Sequence, residues 1–216
     1  MHNMDDFVVF TEVETDRSVT TCITADGEKI RIPRILAKKM HLHPNVPYPR
    51  SQFDAMLEKQ AVPAALTKAA SLLSLRNRTV KEMEEALQKS AYDEQTIAFV
   101  IRHLLDAGYL NDEAFALHWI RHRQSSGLGY SRILRELLFK GIDKELAVRC
   151  LQQVREEDDT SQEAALDRAL DKILRGRNPD DPKERQRILA AMARRGFSIG
   201  DTLEALRRRK EDSPTF

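Results

Sequence analysis

His118 and His122 stand four residues apart, a spacing that puts two imidazoles on one face of a helix. Zinc-dependent hydrolases use that spacing for two ligands, with a Glu beside the first His as the base that activates water. Here Trp119 follows His118, so the base is missing. His41 and His43 bracket Leu42 among prolines and offer no third ligand, so a metal site is not expected. Ser125-Ser126-Gly127-Leu128-Gly129 has two glycines, but no strand precedes it and no Gly-Lys-Ser/Thr closes it. It reads as a flexible helix-to-helix turn, not a phosphate loop. Gly108-Tyr109-Leu110-Asn111-Asp112-Glu113 has a sufficient structural account: a glycine stop, an apolar staple and a cap. No nucleophile–base pair or paired carboxylates stand out, so the chain reads as a non-enzyme with no cofactor and no small-molecule substrate.

What remains able to do chemistry is charge. The chain has 216 residues, 35 Lys plus Arg against 34 Asp plus Glu, and a net charge of +1. A strongly basic whole-molecule field is therefore excluded, and any nucleic-acid role must come from local asymmetry. That asymmetry exists. Residues 121–150 sum to +4, through Arg121, Arg123, Arg132, Arg135, Lys140, Lys144 and Arg149, while residues 1–120 sum to −3. Arg194, Arg195 and Arg207 to Lys210 form a second basic stretch. A second helix after a turn, with bases on its outer face, suits phosphate contact without reading base edges.

The elements that position these groups follow from periodicity. Phe7 to Val13, Val19 to Thr24 and Glu28 to Ile32 are β-branched and alternating, and Asp26-Gly27 marks a hairpin. Pro33 ends the last strand. Short helices are expected over 34–40 and 52–59, separated by the connector His43 to Pro49. From Pro63 onward apolar residues recur every three to four positions, the helical period. Three segments then align without gaps: Glu85–Ile101, Arg135–Leu151 and Ala190–Leu206. Leu87, Leu137 and Met192 correspond, as do the stops Ala91, Gly141 and Gly196, the staples Tyr92, Ile142 and Phe197, and the caps Asp93, Asp143 and Ser198. Each unit has room for three helices: 64–75, 80–89 and 94–106; 113–123, 131–140 and 144–155; 162–174, 182–194 and 199–208. The expected fold is mainly α, with tandem three-helix repeats forming an elongated molecule and a small N-terminal β-hairpin or β-meander region. The expected organisation is 1–63 for that region, 64–110, 111–157 and 158–210 for the repeats, and 211–216 for a tail. Glu156 to Ser161 reads as a hinge between the second and third repeats.

Two distant cysteines, Cys22 and Cys150, suit a reducing compartment. The acidic start MHNMDDFVVF lacks the features of a signal peptide, and no apolar run approaches the roughly 20 residues of a membrane span, so a cytoplasmic location without membrane contact is expected.

Residues 64–208 resemble the bacterial RecX regulatory proteins. The most specific stretch is Gly108-Tyr109-Leu110-Asn111-Asp112-Glu113-Ala114-Phe115-Ala116, followed by Arg121 and Arg123, Gly129, Glu136-Leu137 and Lys140-Gly141-Ile142. Upstream, Leu72 to Thr79 with Glu82 looks like the family's opening signature, and Arg194-Arg195-Gly196-Phe197 like its closing one. The chain departs at Ser90-Ala91, where the family's first repeat often has Gly, and the first 63 residues match poorly. Those 63 could cover the edge of the first repeat, pair two chains through strand edges, or touch a partner. The resemblance implies a regulator that binds RecA filaments along their groove in recombinational repair and the SOS response. It also implies inhibition of RecA ATPase, strand exchange and coprotease activity, together with contacts to DNA. Carried onto this chain, it implies Arg76, Arg78, Arg121, Arg123, Arg132, Arg135 and Lys140 as RecA- or DNA-binding residues, with Arg194 and Arg195 beside them. The competing reading from the charge alone is a direct DNA-binding helical module acting without RecA; a metal-dependent nuclease would need a carboxylate cluster that is not evident.

Overall fold

Val8 and Phe10 point into the core while Phe7 and Val9 point out, the two-residue alternation of a strand packed on one face. The computed structural model describes residues 7–158 and 160–211. Phe7–Thr15 (β1), Val19–Thr24 (β2), Lys29–Pro33 (β3) and Pro47–Pro49 (β4) form an antiparallel sheet in the order β3-β2-β1-β4. Gly27 turns the β2–β3 hairpin at φ +85°. β4 lies where a connector is expected from the prolines; it is an edge strand, the one place in a sheet where missing N–H groups are tolerated. The other edge, β3, carries Lys29, Arg31 and Pro33. Both edges thus bear residues that discourage strand pairing between chains, which argues against one role considered for this region.

Arg34–Lys39 (α1) follows, then Arg50–Leu73 (α2). α2 differs from expectation. The helices expected over 52–59 and 64–75 are one, and the boundary expected at residue 63 falls inside it, at Pro63. A mid-helix proline removes one hydrogen bond at a cost of about 3 kcal/mol. Phe53, Ala61, Ala64, Ala65 and Ala69 offset it by burying one face of α2 along both halves.

The remaining helices are Val80–Lys89 (α3), Glu94–Asp106 (α4), Asp112–Ser125 (α5), Tyr130–Phe139 (α6), Lys144–Glu157 (α7), Ser161–Ile173 (α8), Pro182–Arg195 (α9) and Ile199–Glu211 (α10). The starts of α3, α4, α7 and α9 carry side-chain caps, whereas α6 and α8 start without one. Thr79 accepts from the Glu82 amide, Asp93 from Thr96, Asp143 from Glu145 and Leu146, and Asp181 from Lys183 and Glu184. The three repeat stops adopt the same left-handed conformation, φ +61° at Ala91, +86° at Gly141 and +94° at Gly196. The staples after them, Tyr92, Ile142 and Phe197, are all buried, as are Leu87, Leu137 and Met192. Ala91 alone of the three carries a Cβ in that conformation, which costs an L-residue about 1–2 kcal/mol. Ala91→Gly is therefore expected to raise the unfolding free energy by about 0.5–1 kcal/mol after the added unfolded-state entropy, seen as a higher urea midpoint with an unchanged slope; a lower midpoint would contradict this account.

The chain parts into two compact units between Asn111 and Asp112. The first holds the sheet and α1–α4 around one apolar cluster that includes Phe10, Leu36, Ala64, Met83 and Leu87. The second holds α5–α7 around Ile120, Ile133 and Leu137, and α8–α10 around Leu170, Ile188 and Met192. Cys22 and Cys150 are buried free thiols, and burial pushes the Cys22 thiol up to about 11. No helix of the described residues is long and apolar enough to cross a membrane. Of the hinge expected over 156–161, α7 takes the first two residues and Asp159 lies outside the described residues, as do residues 212–216 of the expected tail.

Candidate partner-binding surface

Helical spacing brings Trp119 and Arg123 onto one turn of α5, and Arg132, Glu136 and Lys140 onto successive turns at α6. Where α5 packs on α6 these groups meet. Arg123 donates to Glu136 through two bonds, Nε to Oε2 at 2.7 Å and a terminal nitrogen to Oε1 at 2.8 Å. Arg132 Nε reaches Oε1 at 3.2 Å, and Trp119 Nε1 donates to Oε2 at 3.2 Å. The Lys140 ammonium lies 4.3 Å from the Trp119 ring centroid, and the Arg123 guanidinium 5.4 Å from it. One carboxylate, with its side chain 15% exposed, therefore holds two guanidiniums and an indole in register. Burial works to raise the Glu136 carboxyl, but the bonds from Arg123, Arg132 and Trp119 outweigh it and hold the group below its ordinary value of 4.5. A depressed folded value stabilises above the unfolded pKa and is lost as pH falls through the folded one. Glu136→Gln is thus expected to be less stable than the parent at pH 7, and the gap in urea midpoint should narrow as pH falls below about 4.5. A gap independent of pH would show that the charge of Glu136 is not what holds α5 to α6.

The other residues singled out by sequence fall into three groups. Arg135 and Arg194 are exposed on α6 and at the end of α9. Arg135 Nε donates to the Ser131 carbonyl, and no acidic partner for either is found among the described residues. Arg121, also exposed, pairs with Glu157 on α7 at 2.5 Å, away from the Glu136 cluster. Arg76 and Arg78 lie in the first unit, ahead of α3. Arg76 pairs with Glu82 at 2.7 Å. Arg78 is half-buried, with a buried Nε that has no protein partner, and burial followed by its neighbour Arg76 lowers its pKa.

The Ser125–Gly129 turn is a tight joint between repeats, in contrast to the flexible turn its glycines suggest. Gly127 (φ +79°) lies so close to α8 that a Cβ would sit 3.3 Å from the Ala169 backbone nitrogen. The Gly129 amide donates to the Arg195 carbonyl at 2.9 Å, Ser131 Oγ to the Gly196 carbonyl at 2.9 Å, and Arg168 to the Gln124 carbonyl at 3.2 Å. The stop glycine of α9 thus abuts the first turn of α6, and the Arg195 guanidinium donates back to the Gly127 carbonyl at 3.4 Å. Glycine here serves close backbone approach, which a sequence cannot distinguish from flexibility.

Sequence reasoning passed over Trp119 and Glu136 as organising groups, although the spacing of four to Arg123, Arg132 and Lys140 was the signal. It also passed over Phe139, which is 85% exposed at the end of α6. The run Leu137-Leu138-Phe139 has one residue that faces the core, Leu137; Phe139 and Leu138 share the outer face of α6 with Arg132 and Arg135. His118 and His122 stack 6.5 Å apart beside Trp119. The surface can therefore offer guanidiniums and an exposed aromatic together, a combination suited to an acidic protein face or a phosphate backbone.

Comparison with known proteins bears on what such a surface serves. Family models described as the first, second and third three-helix domains of RecX match residues 65–104, 111–151 and 161–206. The chain belongs to the RecX family. A relative from Corynebacterium efficiens, named regulatory protein RecX, is 35% identical over 153 residues, covering 67% of this chain and 73% of its own. The Bacillus subtilis regulatory protein RecX is 34% identical over 140 residues, 64% of this chain and 52% of its own. The crystal structure of RecX from Lactobacillus salivarius shares the fold with a TM-score of 0.62 at 22% identity, over 71% of this chain and 99% of that one. A second crystal structure of a regulatory protein RecX superposes with a TM-score of 0.59 at 18% identity, over 90% of this chain and 96% of that one. The Glu136 cluster lies within the second RecX domain, and Arg194 and Arg195 within the third.

Proposed function

We propose that this RecX family protein binds RecA recombinase filaments and restrains their DNA-dependent ATPase, strand exchange and coprotease activity, acting in the cytoplasm without catalysis of its own. The observation that carries this reading is the succession of three RecX domains in order along the chain. The α5–α6–α9 surface supports it. Arg135 and Arg194 are exposed, while Arg123 and Arg132 are oriented by Glu136 rather than spread in solvent. Small contacts repeated along a filament gain by effective concentration without one tight site. Contacts through guanidiniums to acidic side chains or to DNA phosphates weaken with salt.

The test is the ATPase rate of the cognate RecA on single-stranded DNA, titrated with this protein. The expected result is a fall in rate at protein levels well below the RecA concentration. An unchanged rate with folded protein would overturn the proposal, and salt-sensitive binding of naked DNA in the same preparation would favour a direct DNA-binding module.

A further inference from the structure

Between β3, α2 and the start of α4, wholly within the first unit, lies a cleft of about 650 Å³, inside the range of about 300–1,000 Å³ that binding sites occupy. Its apolar wall is built from Ile30, Ile32, Leu57, Val62, Tyr92 and Phe99. Two of these are unusual. Phe99 is 56% exposed, off the buried face of α4 that Ile97, Val100 and Ile101 form, so an aromatic ring stands at the rim with most of its surface in solvent. Tyr92 is 6% exposed, and its hydroxyl is buried with no protein hydrogen-bond partner. Burial pushes that phenol up to about 12, so it is a neutral donor at physiological pH. A buried donor left unpaired carries a cost, and the ring of Tyr92 supplies apolar surface to the cleft wall.

The charge of the rim indicates what the cleft takes. Asp54 and Glu58 lie one turn apart on the exposed side of α2 and have no ion-pair partner among the described residues. Asp93 also lines the cleft but is occupied in capping α4 through Thr96. Arg31 is the one cation of the lining, so the rim is acidic on balance. Strand addition to β3 is disfavoured by Lys29, Arg31 and Pro33 on that edge. The cleft is accordingly suited to a side chain rather than to a strand.

We propose that this cleft docks a segment of a partner protein that presents an aromatic or large aliphatic side chain next to a Lys or Arg. The apolar side chain seats between Leu57, Tyr92 and Phe99, and the base meets Asp54 and Glu58. None of these residues belongs to the arginine surface of the second unit, so the proposal stands apart from RecA filament binding.

The test is an NMR titration of the full chain with N-acetyl-Phe-Lys-amide, with N-acetyl-Phe-Glu-amide and N-acetyl-Ser-Lys-amide as comparators. Saturable shifts confined to the cleft are expected for the first, with the other two about tenfold weaker or worse. Asp54→Lys with Glu58→Lys should reverse the preference between the two Phe peptides. Tyr92→Phe should leave the unfolding midpoint unchanged or higher, since it deletes only an unpaired hydroxyl. Equal binding of the acidic and basic peptides, or no saturable shift at tens of millimolar, would overturn the proposal. So would concentration-dependent self-association by light scattering that Phe99→Ser abolishes, which would place a second copy of this chain in the cleft.

Discussion

Gly196→Ala is expected to lower the folding stability of the second unit by about 3 kcal/mol or more, which is large for one methyl group. Two costs combine. Gly196 has φ +94°, where a Cβ alone costs about 1–2 kcal/mol. That Cβ would also sit 2.4 Å from the Arg132 backbone nitrogen and 2.6 Å from the Arg132 Cβ, so α6 and α9 must move apart. Gly129→Ala separates the terms. Its backbone is not left-handed, but its Cβ would meet the Gly196 carbonyl oxygen at 2.4 Å, so it should lose only the packing part. Because both changes open the same joint, the double variant should be less destabilised than the sum. Gly200→Ala is the control, since the nearest atom to its Cβ is Ser198 Oγ at 3.8 Å; in a helix it should be neutral or stabilising. Urea unfolding of the four variants checks this, and a Gly196→Ala protein as stable as the parent would show that the joint between repeats is loose.

The second large effect concerns the proposed action on RecA. Arg135→Glu with Arg194→Glu is expected to raise the amount of protein needed for half-inhibition of the ATPase by about thirtyfold at low salt, on the order of 2 kcal/mol. Neither guanidinium has an acidic partner among the described residues, so the circular dichroism spectrum should match the parent's and the unfolding free energy should stay within about 1 kcal/mol of it, the cost of an acid in the last turn of α9. The choice of residues matters. Removing Arg123 would leave the carboxylate of Glu136 half-desolvated and short of its bidentate partner, so any loss of activity would be confounded with loss of fold. The reversed pair should also show a shallower fall of potency with added salt than the parent, because two screened contacts are gone. Unchanged inhibition in this variant would remove the α6–α9 face from the binding surface.

Much of the architecture was legible before any coordinates. Capping and stopping are local chemistry. Thr79, Asp93, Asp143 and Asp181 accept from amides two or three residues away, and the stops at 91, 141 and 196 act on their own helix ends. Apolar spacing marked the buried faces for the same reason, since 3.6 residues per turn is a property of the chain itself. The departures have one cause in common. Pro63 reads as a break, yet α2 runs through it, because alanines on both sides are buried against the rest of the unit. Pro47 and Pro49 read as a connector, yet β1 supplies a partner for an edge strand. Gly127 and Gly129 read as a mobile turn, yet α8 and α9 press on them. In each case the deciding contact comes from a segment far along the chain.

The candidate surface divides in the same way. Sequence by itself determined which residues carry the positive charge, that Arg132, Glu136 and Lys140 share one side of α6, and that three like units follow one another. Only the tertiary structure decided which charges remain available. It sets Arg123 against Glu136 across two helices, ties Arg121 to Glu157, and brings Arg195 and Gly196 onto the first turn of α6 from more than sixty residues away. The physical reason is range. Helical periodicity and capping act over three or four residues, whereas ion pairing, desolvation and close backbone approach depend on what packing places within a few ångströms.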